Sequence, residues 1–203
     1  MESPSTRLIL VRHGETEANV AGRMQGRSND PLTPLGQRQV HAVAARLKRE
    51  GHPIEALYTS SLLRACLTAD AIGAELGLTP RLRDGLQEMH LGDLDGESAA
   101  TLFAAMPRSL DESYPGGESL REFVERIMGT LYGIAIAHTG GTVAVVSHGG
   151  VISTALSIWK RGHGGAWREY APDNCAISIV EFQAGPAVIS VNDCTHLTRE
   201  ANG

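Results

Sequence analysis

The chain lacks the features that would send it to a membrane. No apolar run among its 203 residues approaches transmembrane length. The opening "MESPST" is polar and acidic, with no basic stretch leading into an apolar one, so no secretory signal is expected. Cysteine is scarce: Cys66, Cys175 and Cys194 match neither a zinc spacing nor a disulfide framework, which makes a reducing cytoplasm the expected location. Cys175 and Cys194 flank a predicted hairpin turning near Ala184 and Gly185, where they would lie roughly opposite each other as free thiols. There is no excess of positive charge either. With 18 Lys and Arg against 23 Asp and Glu the net charge is −5, so no basic field recruits nucleic acid or a membrane surface. Any bound anion must be held by a local cluster. No nucleotide-binding glycine fingerprint, P-loop, internal repeat or linker interrupts the chain.

What is present is an ordinary globular composition, 42% hydrophobic and 20% charged, on a length that suits one domain over residues 1–203. Apolar runs at "LILV" (8–11), "IEALYTS" (54–60) and "TVAVVS" (142–147) read as strands buried on both faces. Helical spacing follows each. Thr33 caps a helix opened by Pro34 and closed by Gly51. Leu63, Cys66 and Leu67 share one face of a second helix, with Gly77 beyond its end. Ser119 and Glu122 form a capping box before Leu120, Phe123, Val124, Ile127 and Leu131, and "VISTALSIWK" follows the third strand. Alternating strands and helices imply an α/β fold of three layers, α/β/α, with a mostly parallel central sheet and helices on both faces. The weakly patterned stretch at about 89–117 reads as a short excursion over the sheet.

Three strands end in chemistry. Arg12 and His13 follow the first, Arg64 opens the helix after the second, and His148 and Gly149 follow the third. In a mainly parallel sheet those carboxyl ends share one edge, where ligands bind. Two arginines and two histidines there make a cationic pocket in an acidic protein, suited to phosphate oxygens. An imidazole placed in line can attack phosphorus and carry the phosphoryl group covalently. The leaving alkoxide then needs a proton. Glu88 is the leading carboxylate, and Asp84, Asp93 and Asp95 stay open as alternatives.

The blocks "LVRHGET", "PLTPLGQRQ", "YTSSLLRACLTA", "LQEMHLGDLDG", "PGGES" and "VVSHGG" together resemble the histidine phosphatase superfamily, the phosphoglycerate-mutase-like proteins, over roughly residues 7–182. The general look is closest to bacterial broad-specificity phosphatases. The resemblance implies that His13 is the phosphorylated nucleophile and that Glu88 is the acid that becomes the base. It implies that Arg12, Arg64 and His148 form the phosphate pocket. Thr16, Asn19, Gln25, Gly26 and Gly149 fall where the phosphoryl group or substrate is contacted. His90 and His196 are candidates for the pocket mouth, whereas His41, His52, His138 and His163 read as surface residues, and Trp159 and Trp167 as packing.

The expected activity is metal-independent hydrolysis of small phosphomonoesters through a phosphohistidine, with neither cofactor nor metal. The expected partner is a small phosphorylated metabolite, and self-association into a homodimer stays open. A phosphoglycerate mutase primed by a bisphosphoglycerate is the nearest rival. Only 60 positions separate Glu88 from His148, fewer than in cofactor-dependent mutases of the family, which favours transfer to water. A non-catalytic phospholigand-binding module and a metal hydrolase using two histidines and a carboxylate are rivals of other kinds. The two arginines oppose the metal reading because they repel a divalent cation.

Overall fold

The opening apolar run becomes strand β1 (Thr6–Arg12), and its side chains separate into two cores. Leu8 and Leu10 enter one cluster of buried residues, Ile9 and Val11 the other. That division is the period-two alternation of a strand covered on both faces. Strand β2 (Ile54–Thr59) sends Ala56 and Tyr58 one way and Leu57 the other. Strand β4 (Thr142–Ser147) sends Val143 and Val145 one way, Ala144 and Val146 the other. The computed structural model describes residues 4–197.

Helix α2 (Pro34–Glu50) and helix α3 (Leu63–Leu76) cover one face, through Val40, Val43, Ala44 and Leu47 and through Ala65, Ala69 and Ile72. Helix α5 (Leu120–Ala137) and helix α6 (Gly149–Arg161) cover the other, through Leu131, Ile134 and Ala135 and through Ile152, Ala155 and Leu156. Each fully buried Leu, Ile or Val contributes roughly 1.5–3 kcal/mol. The expected caps form. Thr33 accepts from Gly36 N at 2.9 Å, and the Ser119–Glu122 box closes with Glu122 N donating to Ser119 Oγ at 3.2 Å. Gly51 and Gly77 end their helices in the left-handed conformation.

The sheet has six strands in the order β3-β2-β4-β1-β5-β6, completed by β3 (Arg81–Leu82), β5 (Ile177–Phe182) and β6 (Pro186–Asp193). Pairings among β3, β2, β4 and β1 are parallel, while β5 and β6 join antiparallel as the expected hairpin. Cys175 and Cys194 are free thiols beside it. A two-residue strand such as β3 leaves no readable pattern. The short helix α1 (Glu17–Val20) follows β1, and Thr16 and Asn19 make a second capping box there.

Two expectations fail locally. Leu63 and Leu67 are 45% and 41% exposed, and α3 instead buries Arg64, Ala65, Thr68, Ala69 and Ile72. Small residues let α3 lie close to α2 while Arg64 turns into the sheet edge. His138 is half-buried rather than solvated, with Nδ1 on Glu55 at 2.6 Å and Nε2 on the Tyr58 hydroxyl at 3.1 Å.

The excursion is built rather than loose. It holds the short helix α4 (Ala99–Ala104) and its own small core of Leu91, Leu102 and Tyr114, backed by Met24, Met89 and Leu94. Backbone bonds from Met24 N to Glu97 O (2.8 Å) and from Gly96 N to Met24 O (2.9 Å) fasten it to the loop after α1. Among the described residues, no helix is long and apolar enough to cross a membrane.

Candidate active site

His13 leaves β1 at the carboxyl edge of the sheet and is 3% exposed. The loop carrying it is braced from both covering helices. Gly14 N donates to Thr68 Oγ1 at 3.1 Å, Glu15 N to Gln39 Oε1 at 3.0 Å, and Thr33 Oγ1 to Glu15 Oε1 at 2.7 Å. The motifs around Thr33 and Thr68 thus serve the loop that presents the imidazole.

The ring's tautomer follows from its partners. Nδ1 lies 2.8 Å from Gly14 O, which can only accept, so Nδ1 carries the proton. Nε2 receives the Nε–H of Arg64 at 3.2 Å and therefore holds the lone pair. Burial, with Arg64 and Arg12 adding to it, holds the His13 pKa well below 6.5. The result is a neutral imidazole with its basic nitrogen turned towards Arg64.

The second histidine is arranged the other way round. His148 lies 5.2 Å from His13 between ring centroids and is fully buried. Its Nε2 is 2.7 Å from Ser60 Oγ, which already accepts from Leu62 N at 3.2 Å. Among the described residues, His148 Nε2 is the acceptor left for the Ser60 hydroxyl proton. Nδ1 then carries the ring proton, and that atom is buried with no partner among the described residues. Burial first, then Arg64, His13, Arg12 and Arg126, push the His148 pKa well below 6.5.

Arg12 donates Nη1–H to Pro172 O at 2.7 Å, while its Nε is also buried with no partner among the described residues. An added Cβ at Gly149 would lie 3.5 Å from that nitrogen, so the first residue of α6 stands against it. Burial lowers the pKa of both arginines, that of Arg64 to about 10. Arg64 is 1% exposed and donates to Ser28 O at 2.9 Å and to Gly26 O at 2.7 Å. Two buried, unmatched donors among cations fit an oxyanion and do not fit a metal. No group of three or more His, Cys, Asp or Glu among the described residues could hold a metal ion.

Glu88 reaches the same edge from the excursion. Its Oε2 accepts from Gly150 N at 2.8 Å and its Oε1 from Met89 N at 3.0 Å. A side chain at position 150 would collide with Oε1, so the approach requires glycine there. The other acids are engaged elsewhere. Asp84 holds Ser61 Oγ and Gln87 Nε2, and Asp93 stands exposed beside Gly116. Asp95 accepts from three successive amides, Gly26 N (2.8 Å), Arg27 N (2.7 Å) and Ser28 N (2.9 Å).

Several other candidates brace the site. Thr16 Oγ1 donates to Gln25 Oε1 at 2.9 Å, and Gln25 Nε2 donates to Asp30 Oδ2 at 3.1 Å. Asn19 Oδ1 accepts from Thr16 N and from Asn174 Nδ2, and Asn174 also holds His13 O at 3.0 Å. Gly26 uses its N–H on Asp95 and its carbonyl on Arg64. His90 joins the site's frame through its backbone, with its N on Glu118 Oε1 at 2.8 Å. His196 packs behind the pocket, with Nδ1 facing Arg46 at 3.0 Å and Nε2 on Cys175 O at 3.0 Å. Ser60 and Asn174 escape sequence reasoning, and Asp95, an alternative acid in the sequence, holds the loop amides of residues 26–28 instead. The first hint for Ser60 is its place at the end of a buried strand, beside the helix that carries Arg64.

The chain also matches known proteins over most of its length. The profile of the histidine phosphatase superfamily (branch 1) matches residues 8–194. The chain is 35% identical to "Probable phosphoglycerate mutase GpmB" of Proteus mirabilis, covering 94% of each protein. It is 35% identical to the metal-independent phosphoserine phosphatase of Arabidopsis thaliana, over 98% of this chain and 86% of that one. A solved phosphoserine phosphatase from Entamoeba histolytica, in complex with 3-phosphoglyceric acid, superposes with a TM-score of 0.82 at 28% identity. That match covers 95% of this chain and all of the other. Matched over residues 8–194 and alike in fold, the chain is an enzyme of the histidine phosphatase superfamily, branch 1.

Proposed function

We propose that the protein hydrolyses small phosphomonoesters, without a metal, through a phosphohistidine on His13. The observation that carries this reading is the lone pair of His13 Nε2 facing Arg64, beside the buried, unmatched donors of Arg12 and His148. The substrate phosphate accepts from Arg12, Arg64 and His148 Nδ1–H. Nε2 attacks phosphorus, the P–O bond to the alcohol breaks, and Glu88 as a carboxylic acid protonates the leaving oxygen. The carboxylate then takes a proton from water, whose oxygen attacks phosphorus and breaks the P–N bond. Phosphate leaves, and His13 and Glu88 return to their starting forms. Fixed cations stabilise the charge spread over the equatorial oxygens at both steps.

The relatives' names support a small phosphorylated metabolite as substrate, with phosphoserine and phosphoglycerates the first to test. The three free thiols support a cytoplasmic location. A mutase is the second reading, favoured by the name of the Proteus relative. The experiment supplies 3-phosphoglycerate, a catalytic amount of 2,3-bisphosphoglycerate and excess chelator. The proposal expects release of inorganic phosphate with little 2-phosphoglycerate. Isomer interconversion faster than phosphate release would make the protein a mutase, and activity lost to the chelator would end the metal-free reading.

A further inference from the structure

The segment that carries Glu88 has no regular secondary structure, yet its side chain must meet the first turn of α6. One guanidinium from α5 holds it in place. Arg126 donates Nη1–H bonds to Gly85 O (3.2 Å) and Gln87 O (2.9 Å), and an Nη2–H bond to Glu88 O (3.4 Å). Its remaining N–H groups meet both oxygens of Glu118, with Nε 3.1 Å from Oε2 and Nη2 on Oε1. All five donors of the fork are used, three of them on carbonyls between residues 85 and 88.

Glu118 completes the frame on the far side. Its Oε1 accepts from His90 N at 2.8 Å, and its own N donates to His90 O at 2.9 Å. The backbone is thereby pinned immediately before and immediately after Met89. The Arg126 guanidinium lies 5.4 Å from the centroid of Phe123, whose cluster contains Ile127 and Val151, with Met89 packed against it. Val151 adjoins Gly150, the residue that holds Glu88 Oε2. One platform on α5 therefore supports both the acid's backbone and the helix start that receives its side chain.

We infer that Arg126 and Glu118 are positioning residues for Glu88, and that their pairing sets proton delivery to the leaving group. A surface ion pair serving only stability needs no carbonyl partners, and such pairs contribute little. Here the side chains are only 21% and 13% exposed, and most of the fork is spent on the acid's own segment. The inference rests on Glu88 as the acid, and the test separates the two claims.

The test measures the rate of the phosphorylation step, by single-turnover rapid quench, together with substrate affinity, for R126K, E118Q, E88Q and the E88Q/R126K double variant, on alkyl phosphates and on p-nitrophenyl phosphate. R126K keeps the charge and loses the planar fork. E118Q keeps the shape and loses the ion pair, and it serves if R126K does not fold. General acid catalysis is worth about 10²–10⁴-fold. R126K and E118Q should each slow phosphorylation about 10-fold or more on alkyl phosphates, whose leaving groups need the proton. On p-nitrophenyl phosphate phosphorylation should slow only a few-fold, with substrate affinity held. In the E88Q background R126K should add nothing. Equal losses on both substrates, or losses that multiply with E88Q, would overturn the positioning role. If E88Q itself slows phosphorylation by both substrates alike, the assignment of Glu88 as the acid fails instead.

Discussion

Arg64 donates its Nε–H to Nε2 of His13 at 3.2 Å, so the cation sits on the nitrogen that the proposed mechanism makes the nucleophile. The same guanidinium grips the loop at Gly26 and Ser28 from its carbonyl side, while Asp95 grips that loop from its amide side. The His13 loop, Arg64 and the excursion are therefore one connected unit. R64A should leave the nucleophile in place and remove a fixed cation at the developing charge. The expected loss is about 2.7–4 kcal/mol in kcat, as for one oxyanion-type donor. Steady-state kinetics on p-nitrophenyl phosphate reads it directly, and a loss under threefold would show that Arg64 only braces the loop.

Ser60 fixes which nitrogen of His148 carries the proton. S60A removes the donor to a buried Nε2, at a stability cost of about 1–3 kcal/mol. It also frees the ring to adopt the other tautomer. Nitrogen NMR of labelled imidazoles should report Nδ1–H for His148 in the native protein and a mixture in S60A, with kcat falling more than KM rises. An unchanged tautomer together with unchanged kcat would remove Ser60 from the site.

Two histidines buried as neutral rings make stability depend on pH. Their folded pKa values are depressed by burial and by the arginines, while in the unfolded chain each titrates near 6.5. Below that pH the unfolded state binds more protons, so stability present above 6.5 is lost as pH falls. Each histidine adds a slope of up to about 1.4 kcal/mol per pH unit. Urea midpoints measured from pH 7.5 down to 5 should fall, and H13A should lose one histidine's share of the slope. A profile flat across that window would contradict the buried neutral rings.

Much of this was legible in the sequence, for identifiable reasons. Strands β1, β2 and β4 announce themselves because both faces of each are apolar, and α2 and α5 because their caps are local chemistry. Arg12, His13, Arg64 and His148 could be brought together because strand ends share an edge. Ser60, Asp95 and Arg126 could not, because their roles are bonds to distant backbone groups or to a distant ring, and no spacing encodes those. The face of α3 misled for a related reason. Hydrophobicity points to Leu63 and Leu67, whereas close packing and the pocket together select Ala65, Ala69 and Arg64. The excursion's weak pattern concealed a three-residue core.

The central claim is that His13 Nε2 carries the phosphoryl group between substrate and water. Rapid quenching of the native enzyme with a radiolabelled phosphomonoester measures it most directly. The account predicts an acid-labile, base-stable label that maps to His13, forms and decays at rates consistent with kcat, and vanishes together with turnover in H13A. A label that persists in H13A, or full turnover with no labelled protein at any time, would contradict it.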